Sequence, residues 1–171
     1  MSKKVRLSIP SYCFEVLEKD MQYLAMSKDS ILNLIIQNLG FETRRKPRIE
    51  VIDSKRILIF NMNKNNTALF WNMLLQSSIQ NESEFIRNLL IEYANLHPFL
   101  REKLLRIHLF QDIEFAISKK KYIKIQYQKE IKDIQPIDFQ RDEESLYTTL
   151  RAKEHGREFL YEVRFIEVLK R

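Results

Sequence analysis

An alternating strand followed by two amphipathic helices occurs twice in the first hundred residues, and this pattern constrains the fold more than any other feature. In the first copy Val5, Leu7 and Ile9 lie on one face and Lys4, Arg6 and Ser8 on the other, the period-2 alternation of a half-buried strand. Pro10 ends that strand, and Ser11 stands where an N-cap is needed. Phe14, Leu17, Met21 and Leu24 then recur at helical spacing as far as Ala25. Ser27 is a second N-cap, and Ile31, Leu32, Ile35, Ile36 and Leu39 form the next apolar face. Gly40 suits a helix C′ position with positive φ. About 53 residues later the order repeats: a strand over Arg56–Asn63, a helix over about Thr67–Ser77, a turn, then Phe85, Ile86, Leu89, Leu90 and Tyr93. This reads as an internal duplication or as convergence on one architecture.

One strand and two short helices cannot bury a core alone, and a lone strand needs a partner for its edges. The strand at Lys4–Ile9 and that at Arg56–Met62 could pair within one chain. The ribbon would then show Lys4, Arg6 and Ser8 beside Ile57, Ile59 and Asn61, half basic and half apolar. Alternatively each strand pairs with its symmetry mate, which gives one basic ribbon and buries the apolar strands together. The second arrangement, a homodimer, is the expectation.

Lys4 to Leu39 resembles the ribbon–helix–helix family of DNA-binding proteins, in the alternating basic strand, the helix, the Met26-Ser27-Lys28-Asp29-Ser30 turn and the apolar helix after it. The resemblance implies a two-stranded ribbon in the major groove. Lys4, Arg6 and Ser8 would read bases there, and Ser27 with Lys28 would hold a phosphate at a helix N-terminus. Both roles are physically reasonable for these residue types.

Residues 41–54, with Arg44, Arg45, Lys46 and Arg48 around Pro47, read as a basic linker and a further nucleic-acid-binding candidate; a short strand at Ile49–Ile52 is possible. His97-Pro98 starts one broken helix or two, running to Lys119–Lys121. From Tyr122 the period changes to two, and four or five short strands follow, with a turn at Gly156, as in a small curled antiparallel sheet. Residues 107–171 resemble the WYL domain, a small SH3- or Sm-like β-barrel. The resemblance rests on Ala116-Ile117-Ser118, Ile123-Lys124-Ile125-Gln126-Tyr127, Ile134-Gln135-Pro136, Asp142–Thr149, Arg157-Glu158-Phe159 and Tyr161–Val168. The name-giving tripeptide stands here as Leu146-Tyr147-Thr148. The family's closing Asp-Arg-Ile stands as Arg164-Phe165-Ile166. The resemblance implies a pocket for a nucleotide-like or nucleic-acid ligand at Tyr147, Arg157 and Arg164.

The expected fold class is therefore α+β. It comprises ribbon–helix–helix-like units at 1–40 and 55–97, the linker 41–54, a helical connector at 98–106 and the barrel at 107–171. Phe70, Trp71 and Phe115 are expected in the core. Net charge is +6, gathered into acid-free clusters at Lys3, Lys4 and Arg6, at Arg44 to Arg48, and at Lys119, Lys120, Lys121 and Lys124, which suit a polyanion. Two glycines in 171 residues exclude a glycine-rich phosphate loop, and one cysteine excludes a disulfide scaffold. Three scattered histidines show no metal spacing, no carboxylate pair is framed for acid–base work, and no cofactor or catalytic activity is expected. The chain lacks an apolar run of about 18 residues and a signal-peptide core, so no membrane association and a cytoplasmic location are expected.

The functional expectation is a transcriptional regulator whose ribbon binds duplex DNA while the WYL part senses a ligand. The alternatives are an accessory protein that binds single-stranded RNA and modulates a nuclease, and an oligomerisation or adaptor module. The first alternative resembles the WYL proteins that accompany type VI CRISPR effectors; the second is suggested by the apolar second strand.

Overall fold

The computed structural model describes residues 2–43 and 53–169. The chain divides into two compact units, Met1–Leu96 and His97–Arg171.

The first unit contains β1 (Lys3–Pro10), α1 (Ser11–Leu24), α2 (Lys28–Leu39), β2 (Lys55–Met62), α3 (Lys64–Ser77) and α4 (Glu82–Ala94). The two strands pair antiparallel along their whole length, Lys3 opposite Met62 through Pro10 opposite Lys55. Val5, Leu7 and Ile9 from β1 and Leu58, Phe60 and Met62 from β2 are buried. They form one apolar face, against which α2 and α4 pack with Ile31, Ile35, Ile36, Phe85, Leu89 and Leu90. The expected pairing of each strand with its symmetry mate is thus replaced by pairing inside one chain. The physical reason is entropic: closing one loop costs free energy that grows only as the logarithm of its length, whereas a second copy must also be immobilised. The second strand is consequently not buried on both faces.

Capping is partly local. Ser27 accepts from the backbone N–H of Ser30 at 3.2 Å, and Asn63 and Asn81 cap α3 and α4 in the same way. Ser11 lies inside α1 and does not cap it. Asp53 Oδ2 instead accepts from Tyr12 N at 2.9 Å, and the Ser54 carbonyl accepts from Ser11 N at 2.8 Å. Gly40 has φ −57 and needs no left-handed backbone. It is small because a Cβ there would collide with the Ile36 carbonyl and the Met73 sulfur. Phe70 is buried, but Trp71 on the same helix is exposed, because adjacent helical residues point about 100° apart.

The second unit contains α5 (Pro98–Leu105), α6 (Ile107–Lys119), β3 (Ile123–Tyr127), β4 (Glu130–Arg141), β5 (Thr148–Glu154), β6 (Arg157–Glu162), a 3-10 turn (Val163–Phe165) and β7 (Ile166–Val168). Residues 98–119 therefore form two helices, separated at Arg106. The strands make an antiparallel sheet in the order β6-β5-β4-β3-β7. Phe110 and Ile113 of α6 pack onto its inner face with Ile125, Ile134, Leu150, Ala152 and Tyr161. Pro136 lies at a register shift in β4, where its missing N–H is tolerated. The expected closed barrel is not formed among the described residues, because the edge strands β6 and β7 do not pair with each other. A 3-10 turn separates them, and β7 is only three residues long. The fold is mixed α+β, and no helix among the described residues is long and apolar enough to cross a membrane.

Candidate nucleic-acid interface

On the outer face of the ribbon Lys4 stands opposite Asn61, Arg6 opposite Ile59 and Ser8 opposite Ile57. Lys4 and Arg6 are exposed, and Ser8 is half-exposed. The middle of this face is basic on one strand alone, since Ile57 and Ile59 are 58% and 37% exposed beside Lys4 and Arg6, with Lys55 at the far end of β2. Asn61 points its donors at the protein: its backbone N–H and its side-chain amide donate to Asp29 at 3.2 and 2.9 Å.

The helix N-terminus expected to grip a phosphate is already neutralised. The Ser27 hydroxyl accepts from Ser30 N, and the Asp29 carboxylate lies in the first turn of α2. A fixed carboxylate at the positive end of a helix opposes a second anion there, so Ser27 and Lys28 do not form an open clamp. At α4 the first turn holds Glu82 and Glu84, with Glu82 bound by Lys3 at 2.6 Å. Arg44, Arg45, Lys46, Arg48 and the possible Ile49–Ile52 strand lie outside the described residues.

An amide network at the end of β2 escaped the pattern reading. Asn33 Nδ2 donates to the Asn61 carbonyl at 2.9 Å, Asn63 N donates to Asn33 Oδ1 at 2.8 Å, and Asn66 Nδ2 donates to the Asn33 carbonyl at 2.8 Å. At the other end of the ribbon Arg87, in the matching turn of α4, donates to the Ser8 carbonyl at 3.0 Å. Each second helix therefore clamps the strand of the other copy. The sequence signal was the spacing of Asn33, Asn61, Asn63 and Asn66, but amides have no periodicity of their own.

In the second unit the expected ligand residues separate. Tyr147 is 1% exposed and belongs to the core. Arg157 stands across from Glu154 in the strand register at the far end of β5, about 20 Å along the strand from Tyr147 at ~3.3 Å per residue. Tyr147 and Arg157 do not share a pocket. Arg164 sits in the 3-10 turn, donates to Glu162 at 2.7 and 2.8 Å and lies over the Phe165 ring.

The concave site lies elsewhere. A pocket of about 320 Å³ is lined by Tyr127, Lys132, Glu154, Phe159 and Tyr161 among others. Strand register places these side chains and Arg157 on the inner face of the sheet, at the end carrying the β3–β4 and β5–β6 hairpins. Tyr161 donates to Glu154 at 2.7 Å, and Lys132 lies 3.3 Å from Glu154. The Tyr161 hydrogen bond, with Lys132 beside it, holds the Glu154 carboxyl below its ordinary range. Arg157 is exposed and makes no ion pair among the described residues.

A second feature lies at the α6–β3 corner. Phe115 and Tyr122, 57% and 62% exposed, flank Lys119, Lys120 and Lys121. Lys121 Nζ stands 5.9 Å from the centre of the Phe115 ring. Phe115 is therefore a surface residue and not the expected core residue: it lies two positions from Ile113 and one from Ala116, which take the buried face of α6.

Glu102 is fully buried. One carboxylate oxygen accepts from Thr148 N at 2.8 Å, while Glu102 Oε1 and Thr148 Oγ1 have no hydrogen-bond partner among the described residues. Burial pushes this carboxyl above its ordinary range, against the opposing pull of Thr148, Arg106 and Arg164.

This is a mixed α+β architecture, a ribbon with two helix pairs joined to a helix-backed antiparallel sheet. No protein-family model matches the chain. No curated protein matches it. A solved structure described as "Crystal structure of a CRISPR Cas-related protein" has a similar fold, with TM-score 0.65 and 12% identity over 98% of this chain and 62% of that one. The chain thus spans less than two thirds of that neighbour's length, and at such identity the likeness is one of fold.

Proposed function

We propose that this chain is an accessory protein of a CRISPR-type system that holds single-stranded RNA on its second unit. The observation that supports this reading is the α6–β3 corner, where Lys121 lies over exposed Phe115 next to exposed Tyr122. Single strands are held by aromatic platforms that stack bases and by cations that follow the phosphates. The CRISPR association comes from the fold neighbour. Arg157, beside the aromatic pocket of the inner sheet face, offers a cation to a nucleotide-like ligand.

Regulation through duplex DNA is the second reading, favoured by exposed Lys4 and Arg6 on the ribbon. Ile57, Ile59 and the carboxylates at both helix N-termini count against it. Filter-binding titration with single-stranded RNA and with duplex DNA of equal length, at two salt concentrations, separates the two. Tighter RNA binding, weakened in Phe115→Ala and Tyr122→Ala, is expected. Preference for duplex, or equal RNA binding by those variants, would overturn the first reading.

A further inference from the structure

The two copies in the first unit differ systematically at their outward positions. Lys4 and Arg6 of β1 match Ile57 and Ile59 of β2, and Glu18 and Gln22 of α1 match Trp71 and Leu75 of α3, all about 53 residues apart. All four positions of the second copy are exposed, so the change from polar to apolar is not explained by burial. On the ribbon the result is an aliphatic pad framed by cations. Ile57 and Ile59 form the pad, with Arg6 across the strand, Lys4 one pair further and Lys55 at the other end. Lys4, Arg6 and Lys55 are exposed and make no ion pair among the described residues.

From this geometry we infer that the outer face of the ribbon docks an acidic amphipathic helix of a partner protein, an inference that goes beyond the RNA reading. Aliphatic pads without an aromatic side chain favour a protein over a single strand, which needs rings to stack on. Two isoleucines where a groove reader needs donors disfavour duplex DNA. The spacing also fits: Ile57 and Ile59 lie about 6.8 Å apart along the strand, close to the ~6 Å rise between helical residues i and i+4. Apolar anchors at i, i+4 and i+7 would meet the pad, and flanking carboxylates would meet Lys4, Arg6 and Lys55. Such charge complementarity speeds encounter and excludes basic partners.

The test uses the full chain and fluorescence anisotropy with a labelled synthetic helix bearing leucines at i, i+4 and i+7 and glutamates beside them. Binding at least about tenfold tighter than to a shuffled peptide of the same composition is expected, and likewise against a peptide with lysine for glutamate. Ile57→Ser/Ile59→Ser should weaken it about tenfold and leave RNA binding unchanged. Arg6→Glu should weaken it and flatten its salt dependence. Equal binding of the shuffled peptide, or parental affinity in the double variant and in Arg6→Glu, would overturn the proposal. Loss of duplex DNA binding alone in the double variant would give the face to DNA. A mass of two chains by light scattering that falls to 20.7 kDa in that variant would give it to a second copy. Either result also overturns the proposal, while the RNA measurement stands independently.

Discussion

Arg6 stands directly across the ribbon from Ile59. A guanidinium beside an aliphatic side chain can still attract a phosphate, but Ile59 opposite it adds no second donor toward a base edge. Arg6→Ala should therefore weaken duplex DNA binding about uniformly across sequences and lower its salt slope by about one. A competition titration of several duplex sequences checks this. Selective loss on one sequence would restore Arg6 as a reader.

Phe115 and Tyr122 are expected to contribute about 1–3 kcal/mol each to single-strand binding through base stacking. The double change to Ala should lower RNA affinity at least tenfold with an unaltered melting curve, because both rings are exposed and neither supports the core. Anisotropy with a labelled oligoribonucleotide gives the number.

Asn33→Ala removes the side chain that joins α2 to Asn61, Asn63 and Asn66. Partly buried groups of α3 and β2 lose their partners, at a cost of about 1–3 kcal/mol. A lower urea midpoint with an unchanged slope is expected. No shift would show that water replaces the amide.

Glu102 ties stability to pH. Its carboxyl in the folded chain lies above its ordinary range, so folding favours the protonated form. Its penalty is absent below the unfolded pKa, grows as pH rises between the unfolded and folded values, and is complete above the folded one. Glu102→Gln keeps an acceptor for Thr148 N without the charge. Its stability should fall less than that of the parent as pH rises through that window. Glu102→Ala should cost about 1–3 kcal/mol by orphaning Thr148 N. Chemical unfolding at several pH values tests both; identical pH slopes for the parent and Glu102→Gln would refute the linkage.

Trp71 is the single tryptophan and is exposed. Its emission should be water-like in the native state and open to quenching by iodide. A blue-shifted, protected emission would mean that something covers α3.

Much of the local structure was legible in residue order. Strand alternation assigned inner and outer faces correctly on β1, the outward set Ile57, Ile59 and Asn61 expected for the apolar second strand is the exposed one on β2, and Ser27 caps α2 as its position implied. These features depend on neighbours a few residues away. Asn33 was not legible as a clamp, because its partners lie about 30 residues on and nothing in its own helix distinguishes it from a solvated amide. Tyr147 shows the converse. Its place in a motif resemblance pointed to a ligand, whereas the fold buries it.

What the sequence determined by itself is the set of units: two strand–helix–helix segments, two further helices and a run of short strands, each set by hydrophobic period and by Pro10, Pro98 and Gly156. What only the tertiary structure decided is which surfaces those units spend on one another. It paired β1 with β2 in one chain, capped α1 with Asp53 and Ser54 from far along the sequence, and left Trp71 and Phe115 outside while burying Tyr147. The physical reason is that periodicity is a property of one segment, whereas the face that gains most by leaving water depends on the segment packed against it.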